Sequence, residues 1–331
     1  MLNYKTSTVV KCLVLSLSLL LLGYCQLQAW GFFAHQRINR LAIFTLPPEM
    51  MPFYKKHLQY LMENSVRPDM RRYAVKDEAP RHYIDADIYG DSALYKLPLF
   101  WKDAVAKYTE DTLMAYGIVP WHIQRMKFQL TDAFRDKDVK RILRLSAEIG
   151  HYIGDANVPL HTTSNYNGQQ TRQEGIHGFW ESRLPELFIN EYDFFVGKAE
   201  YLEKPHLAAW KAVRQANACL DSVLVFEREL TTHFGENRKY VMEERNGVLT
   251  KNYSQDFSRA YQTKLHQQVE RQMRRAIKMI GDFWYTCWID AGQPDLSALL
   301  YQASDQDKKD DETEEKSWLQ KIFNVRKESD N

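Results

Sequence analysis

Cysteine is scarce: four in 331 residues, with Cys12 and Cys25 both in the first 25 positions. Only Cys219 and Cys287 remain in the body of the chain, which excludes a disulfide framework and leaves room for one bridge in an exported protein. An excess of one charge is also missing, since 44 lysines and arginines face 43 acids for a formal net charge of +1. No basic surplus announces nucleic-acid binding, so an anionic substrate would have to be drawn in by a local feature. The alternating pattern of successive β-strands is absent as well. What the chain has in quantity is apolar and aromatic side chains, 44% and 13% of residues. Over about 300 residues these suffice for one large buried core.

The first 29 residues stand apart. Lys5 and Lys11 precede an apolar run from Cys12 to Leu22, too short for the roughly 20 residues of a bilayer span and followed by the small Ala29, which marks a secretory signal with cleavage after that residue. Removing it leaves 42 basic against 43 acidic side chains and makes Trp30 the mature N-terminus. The expected location is secreted or periplasmic. The alternative is a lipid anchor through Cys25, although the bulky Tyr24 precedes it.

The mature part reads as helices from end to end. Ile38, Leu41, Ala42 and Phe44 form an apolar stripe before Pro47-Pro48. An irregular stretch follows, broken by Pro68, Pro80 and Gly90, which holds Asp69, His82, Asp85 and Asp87. Helices are expected over 101–116, from Pro120 through Phe134, and over 137–154 with Val139, Ile142, Leu143, Leu145, Ile149 and Ile153 on the apolar face. Two long helices follow, at about 207–233 and 255–288, the second ending in a core-type FWYTCW run. The expected division is a signal over 1–29, one catalytic domain over 30–300, and a charged, disordered tail over 301–331.

The densest chemistry lies between His151 and Glu181. His151 and Asp155 stand four apart, His161 follows, and His177 and Glu181 again stand four apart. At 3.6 residues per turn each pair projects from one helix face, so two helices meeting can aim both pairs into one pocket. Imidazole and carboxylate without thiolate suit zinc best among the common metals, with manganese and iron open on ligand type.

These residues resemble the zinc-dependent phospholipase C and single-strand-specific nuclease superfamily, an all-α fold with three zinc ions in a cleft. In that family the amine and carbonyl of an N-terminal Trp bind metal, which links export to catalysis through Trp30. The resemblance implies His35 beside Trp30, Asp69 and His82 from the loop, His151 and Asp155 from the helix, and His161, His177 and Glu181 for the remaining ion. It further implies attack by a metal-bridging hydroxide, with Asp69 orienting the water or acting as base and Arg72 offsetting charge on the phosphate. The match runs from about Trp30 through Glu181; beyond residue 190 only helical periodicity assigns the fold.

The substrate marks are mixed. The short Trp30-to-His35 interval, the pair Asp69 and Arg72, and the HYIDAD run resemble the nuclease branch, where Tyr83 would stack on a base and Asp85 would accept hydrogen bonds from it. Glu181 resembles the phospholipase branch. The sequence therefore favours cleavage of single-stranded nucleic acid, with phospholipase C as the alternative and a non-catalytic zinc-binding surface protein as a third reading. No stable protein partner is implied. Membrane contact is expected only of a phospholipase, for which the aromatic loop at Asp193–Gly197 could serve.

Overall fold

The computed structural model describes residues 31–245 and 247–300; the signal, Trp30 and the charged tail lie outside the described residues. The architecture is helical. Its organising element is helix α5, and the helices around it are α1 (Phe32–Ala42), α2 (Leu58–Asn64), α3 (Arg67–Arg71) and α4 (Val119–Arg135). Helix α5 itself spans Val139–Asp155, and Asp138 starts it by accepting a hydrogen bond from the Arg141 backbone N–H at 3.0 Å. Lys140, Arg141 and Arg144 keep its first two turns partly wet, whereas every residue from Leu145 to Asp155 is buried. A helix buried on all sides over three turns must be surrounded. Helices α1, α2 and α4 do this together with the long C-terminal helix.

Close approach is possible because α5 carries glycines at its crossing with α1. A Cβ on Gly150 would lie 2.0 Å from Oδ1 of Asn39. Asn39 is fully buried and uses its Nδ2 to donate to the His35 carbonyl at 2.9 Å, so it has little room to yield.

The second half is more broken than its periodicity predicts. Two helices replace the expected 207–233 helix, α6 (Pro205–Asn217) and α7 (Leu220–Phe234). Between α7 and the next long helix lies an antiparallel hairpin, β1 (Tyr240–Arg245) and β2 (Val248–Tyr253), paired from Tyr240 opposite Tyr253 to Arg245 opposite Val248. The sequence reading contained no strand here; the signal it passed over is the Asn246-Gly247 dipeptide between two β-prone runs. The expected 255–288 helix is α8 (Gln255–Lys264) and α9 (Gln268–Asp290), separated where His266 and Gln267 take positive φ. The 101–116 helix likewise divides at Thr109, whose φ is 68°. Periodicity survives a single turn of left-handed backbone, which is why the stripe alone does not reveal these breaks.

Helix α9 closes the core. Trp284 stacks on Tyr54 at 4.8 Å and donates to the Ser146 carbonyl of α5 at 3.0 Å, and Phe283, Trp284, Cys287 and Trp288 are buried as the FWYTCW run predicts. No disulfide joins the two body cysteines: both are free thiols, Cys219 against the Gln215 carbonyl and Cys287 against that of Lys127. Among the described residues no helix is long and apolar enough to cross a membrane.

Replacing Gly150 with Ala should cost about 1–3 kcal/mol of stability, because the displaced Asn39 is buried and hydrogen-bonded. Denaturant midpoints of the wild type and Gly150→Ala measure this; an unchanged midpoint would mean that α1 and α5 are not held at this separation.

Candidate metal centre

Six segments deliver donors to one buried point. Helix α1 brings His35, α3 brings Asp69 in its first turn behind Pro68, and a 3-10 turn at Ala79–His82 brings His82. The last turn of α5 brings His151 and Asp155. A second 3-10 turn at Pro159–Thr162 brings His161, and a short helix running into a π-helical turn brings His177 and Glu181. That last turn is braced from outside by the hairpin, since Tyr253 stacks flat on Phe179 at 3.7 Å.

The imidazoles are turned by their outer nitrogens. His151 donates from Nδ1 to the Ser65 carbonyl at 2.8 Å, and His161 donates from Nδ1 to the His82 carbonyl at 2.7 Å. A carbonyl can only accept, so in the neutral ring each Nε2 keeps its lone pair and faces inward. His82 is reversed: Nδ1 faces inward, and Nε2 lies 3.5 Å from Oε1 of the fully buried Glu78. Glu78 is in turn held by Arg71, Arg81 and the Tyr152 hydroxyl. A carboxylate behind a ligating histidine fixes the ring and raises its basicity.

The inner atoms divide the Asp155 carboxylate between two sets. Oδ2 lies 2.9 Å from His82 Nδ1 and 3.2 Å from His151 Nε2, while Oδ1 lies 3.3 Å from His35 Nε2 and 3.9 Å from His161 Nε2. Asp69 Oδ1 stands 3.6 Å from His82 Nδ1 and 3.7 Å from His151 Nε2. Glu181 Oε2 stands 3.0 Å from His177 Nε2 and 3.4 Å from His161 Nε2. Three groups with donor atoms within 4.8 Å of one another result: His35, Asp69 and His151; His82, His151 and Asp155; His161, His177 and Glu181.

Burial would push Asp155 up, yet His151 and His161 beside it hold its carboxyl well below the ordinary carboxylate range. Burial alone would lower His161, but Asp155 and Glu181 carry it up to about 9. The inner nitrogen of His177 is buried with no hydrogen-bond partner despite its short approach to Glu181. Inward nitrogens and carboxylate oxygens crowd together here, with His82 Nδ1 at 2.9 Å from Asp155 Oδ2 and 3.0 Å from His151 Nε2; lone pairs converging on one point in this way are arranged as metal ligands are, and these donor types fit zinc.

Every side chain proposed from the sequence as a metal donor is thus brought to this centre. Trp30 lies outside the described residues. Its successor Gly31 is close: a Cβ there would sit 3.5 Å from Glu181 Oε1 and 3.7 Å from Asp69 Oδ2.

Asp69, His177 and Glu181 are the wetter members, with side chains 23%, 20% and 18% exposed, and so mark the open side. Arg72 reaches toward Asp69 at 3.9 Å, and the exposed Tyr166 ring lies 6.0 Å from that of His177. Half-buried Tyr83 stands at the same opening. Burial and Asp85 raise its hydroxyl, while Arg72 opposes them. Burial and Asp87 push Asp85 up to about 7, and its carboxylate has no hydrogen-bond partner among the described residues. Asp87 is instead spent on structure, accepting from the Ser164 N–H at 2.9 Å. The sequence reading missed Glu78, although its four-residue spacing to His82 was visible, and Tyr166, which carried no signal.

A helical scaffold that converges imidazoles and carboxylates on a buried, one-sided centre is the architecture of a metal-dependent hydrolase. The model of the zinc dependent phospholipase C family matches residues 34–243, and the chain belongs to that family. It is a hydrolase of phosphodiester bonds with zinc as its cofactor, not a zinc-binding protein without hydrolytic role. No curated protein matches the chain.

Asp155→Asn and His151→Ala should each lower bound zinc and hydrolysis together, as read by elemental analysis beside a phosphodiester assay. Glu78→Gln, which touches no inner atom, should weaken zinc binding by about 10-fold or more in chelator competition.

Proposed function

We propose that the chain is a phospholipase C that releases a phosphorylated head group from a phospholipid, working after export with Trp30 as its first residue. The match to the zinc dependent phospholipase C family carries this reading, and Asp85 gives it a contact for the head group. Asp85 is a half-buried carboxylate without a hydrogen-bond partner among the described residues, three residues from His82 and near enough to Tyr83 and His161 for their charges to interact. An aromatic face next to a carboxylate suits the cationic nitrogen of a choline- or ethanolamine-type head group. Glu181 in place of the aspartate usual in nucleases, and the family to which the chain belongs, support the same choice.

His35, Asp69, His82, His151, Asp155, His161, His177 and Glu181, together with the Trp30 amine and carbonyl, are the proposed ligands for three ions. The approach of Gly31 to Asp69 and Glu181 supports the share given to Trp30. Zinc held there supplies a water activated near neutral pH and positive charge facing the phosphate. Asp69, on the open side, orients that water and takes its proton, Arg72 faces the phosphate oxygens as their charge grows, and Asp85 and Tyr83 hold the group beyond the scissile bond. If Cys25 is lipidated instead, the enzyme acts while anchored and Trp30 is not free.

A second reading, a nuclease on single-stranded nucleic acid, is favoured by the same pair, because Tyr83 can stack on a base while Asp85 accepts from its edge. The zinc-loaded protein beginning at Trp30, given phosphatidylcholine vesicles and single-stranded DNA side by side with a chelated control, separates the two. Chelator-sensitive release of phosphocholine with intact DNA is the expected result; nucleotide release with intact lipid would transfer the protein to the nuclease reading.

Asp85 also sets a pH dependence. Its carboxyl, raised to about 7, is protonated below that pH, so KM for a cationic head group should fall as pH rises from 6 to 8, and Asp85→Asn should abolish that trend. A carboxyl raised in the folded state is destabilising once pH rises above its unfolded value and most so above about 7. Asp85→Asn should therefore raise Tm at pH 8 more than at pH 5.

A further inference from the structure

Glu78 has a second side. Turned away from His82, it helps line a cavity of about 310 Å³ between α3, α4 and α5, of a size that holds small ligands. Arg67, Arg71, Arg81, Arg125 and Arg144 line the cavity with His122, against two acids, Glu78 and Glu148. Those two carboxylates are already engaged: Arg71 bonds both, and Arg81 bonds Glu78. Arg67 donates to the neutral amide of Asn64. Arg125 and Arg144 have no carboxylate partner among the described residues, and Arg144 Nε is buried without a hydrogen bond. His122 is 5% exposed, and neither of its ring nitrogens has a partner.

A buried imidazole with two open nitrogens, beside a guanidinium whose Nε is also buried and unpaired, costs several hydrogen bonds unless something fills the space, and the exposed Arg125 adds positive charge at its rim. A neutral ligand would leave the charge, and a cation would add to it. Guanidinium forks match the oxygens of a phosphate, and an imidazole can donate to one of them. Burial, followed by Arg81, keeps the His122 ring neutral, in the form that offers one donor and one acceptor.

We propose that this cavity is a phosphate-binding site, separate from the metal centre and divided from it by Glu78. The phosphate is held by Arg125, Arg144 and His122. It arrives either as a free ion or as the exposed phosphomonoester of an anionic lipid. The proposal does not depend on which phosphodiester the metal centre cleaves.

The test uses the zinc-loaded protein, since the metal centre binds phosphate too and must be counted. Equilibrium dialysis with labelled inorganic phosphate should give one more bound phosphate per chain for the wild type than for Arg125→Ala/Arg144→Ala, with phosphodiester hydrolysis equal in the two. Because Arg125 is exposed, Arg125→Glu keeps the fold, and it should weaken the additional site by about tenfold or more. A parallel arm sediments the protein with phosphatidylcholine vesicles that contain or lack phosphatidic acid. Capture by phosphatidic acid alone, lost in both variants and without an additional free-phosphate site, supports the proposal with a lipid source. Equal phosphate stoichiometry and equal vesicle capture in wild type and variants would overturn it.

Discussion

The structure depends on a carboxylate placed where water cannot reach it. Asp155 is 1% exposed, and the atoms nearest its oxygens are inward nitrogens of four histidines from α1, α5 and two 3-10 turns. An isolated carboxylate in such a place would take up a proton. Imidazoles on both sides, and zinc where these donors hold it, are what keep it charged. Packing and chemistry cannot be separated here, because the helix that carries Asp155 is also the centre of the hydrophobic core. Its neighbours α1, α2, α4 and α9 press against the same three turns that end in the donor pair.

The same economy shows in the loop from Arg67 to His82. Asp69 and Arg72 point to the open side, whereas Arg71, between them, turns back to Glu78, Glu148 and Tyr152. Glu78 then meets the ring of His82 from behind. A short, proline-started helical turn thus feeds both the front of the centre and its support.

The pair His151 and Asp155 and the pair His177 and Glu181 stood out in the sequence by their four-residue spacing, whereas His35, Asp69 and His82 were pointed to by the family resemblance. The helices of the core were legible because α5 and α9 bury continuous stripes. What was not legible came from single residues of left-handed backbone. Thr109, His266 and Gln267 interrupt helices without disturbing the apolar repeat, and the hairpin after α7 is six residues per strand beside much longer helical patterns. Glu78 escaped because its role exists only relative to His82's outer nitrogen, a direction that spacing does not give. The raised carboxyl of Asp85 was not legible either, since it comes from burial and from the nearby charge of Asp87, which is itself held by Ser164, 77 positions away in the chain.

Gly154 has no functional group, yet a methyl there would come within 2.9 Å of the His35 ring and 2.8 Å of Ile38. With Gly150 it acts as a spacer of zero thickness between α1 and α5, and the gap between His35 and Asp155 is measured from it. An inventory of donors therefore underdescribes this enzyme. A relative could retain every imidazole and carboxylate and still have lost the centre if alanine replaced either glycine, and another could have exchanged a donor while keeping the frame into which a new one would fit.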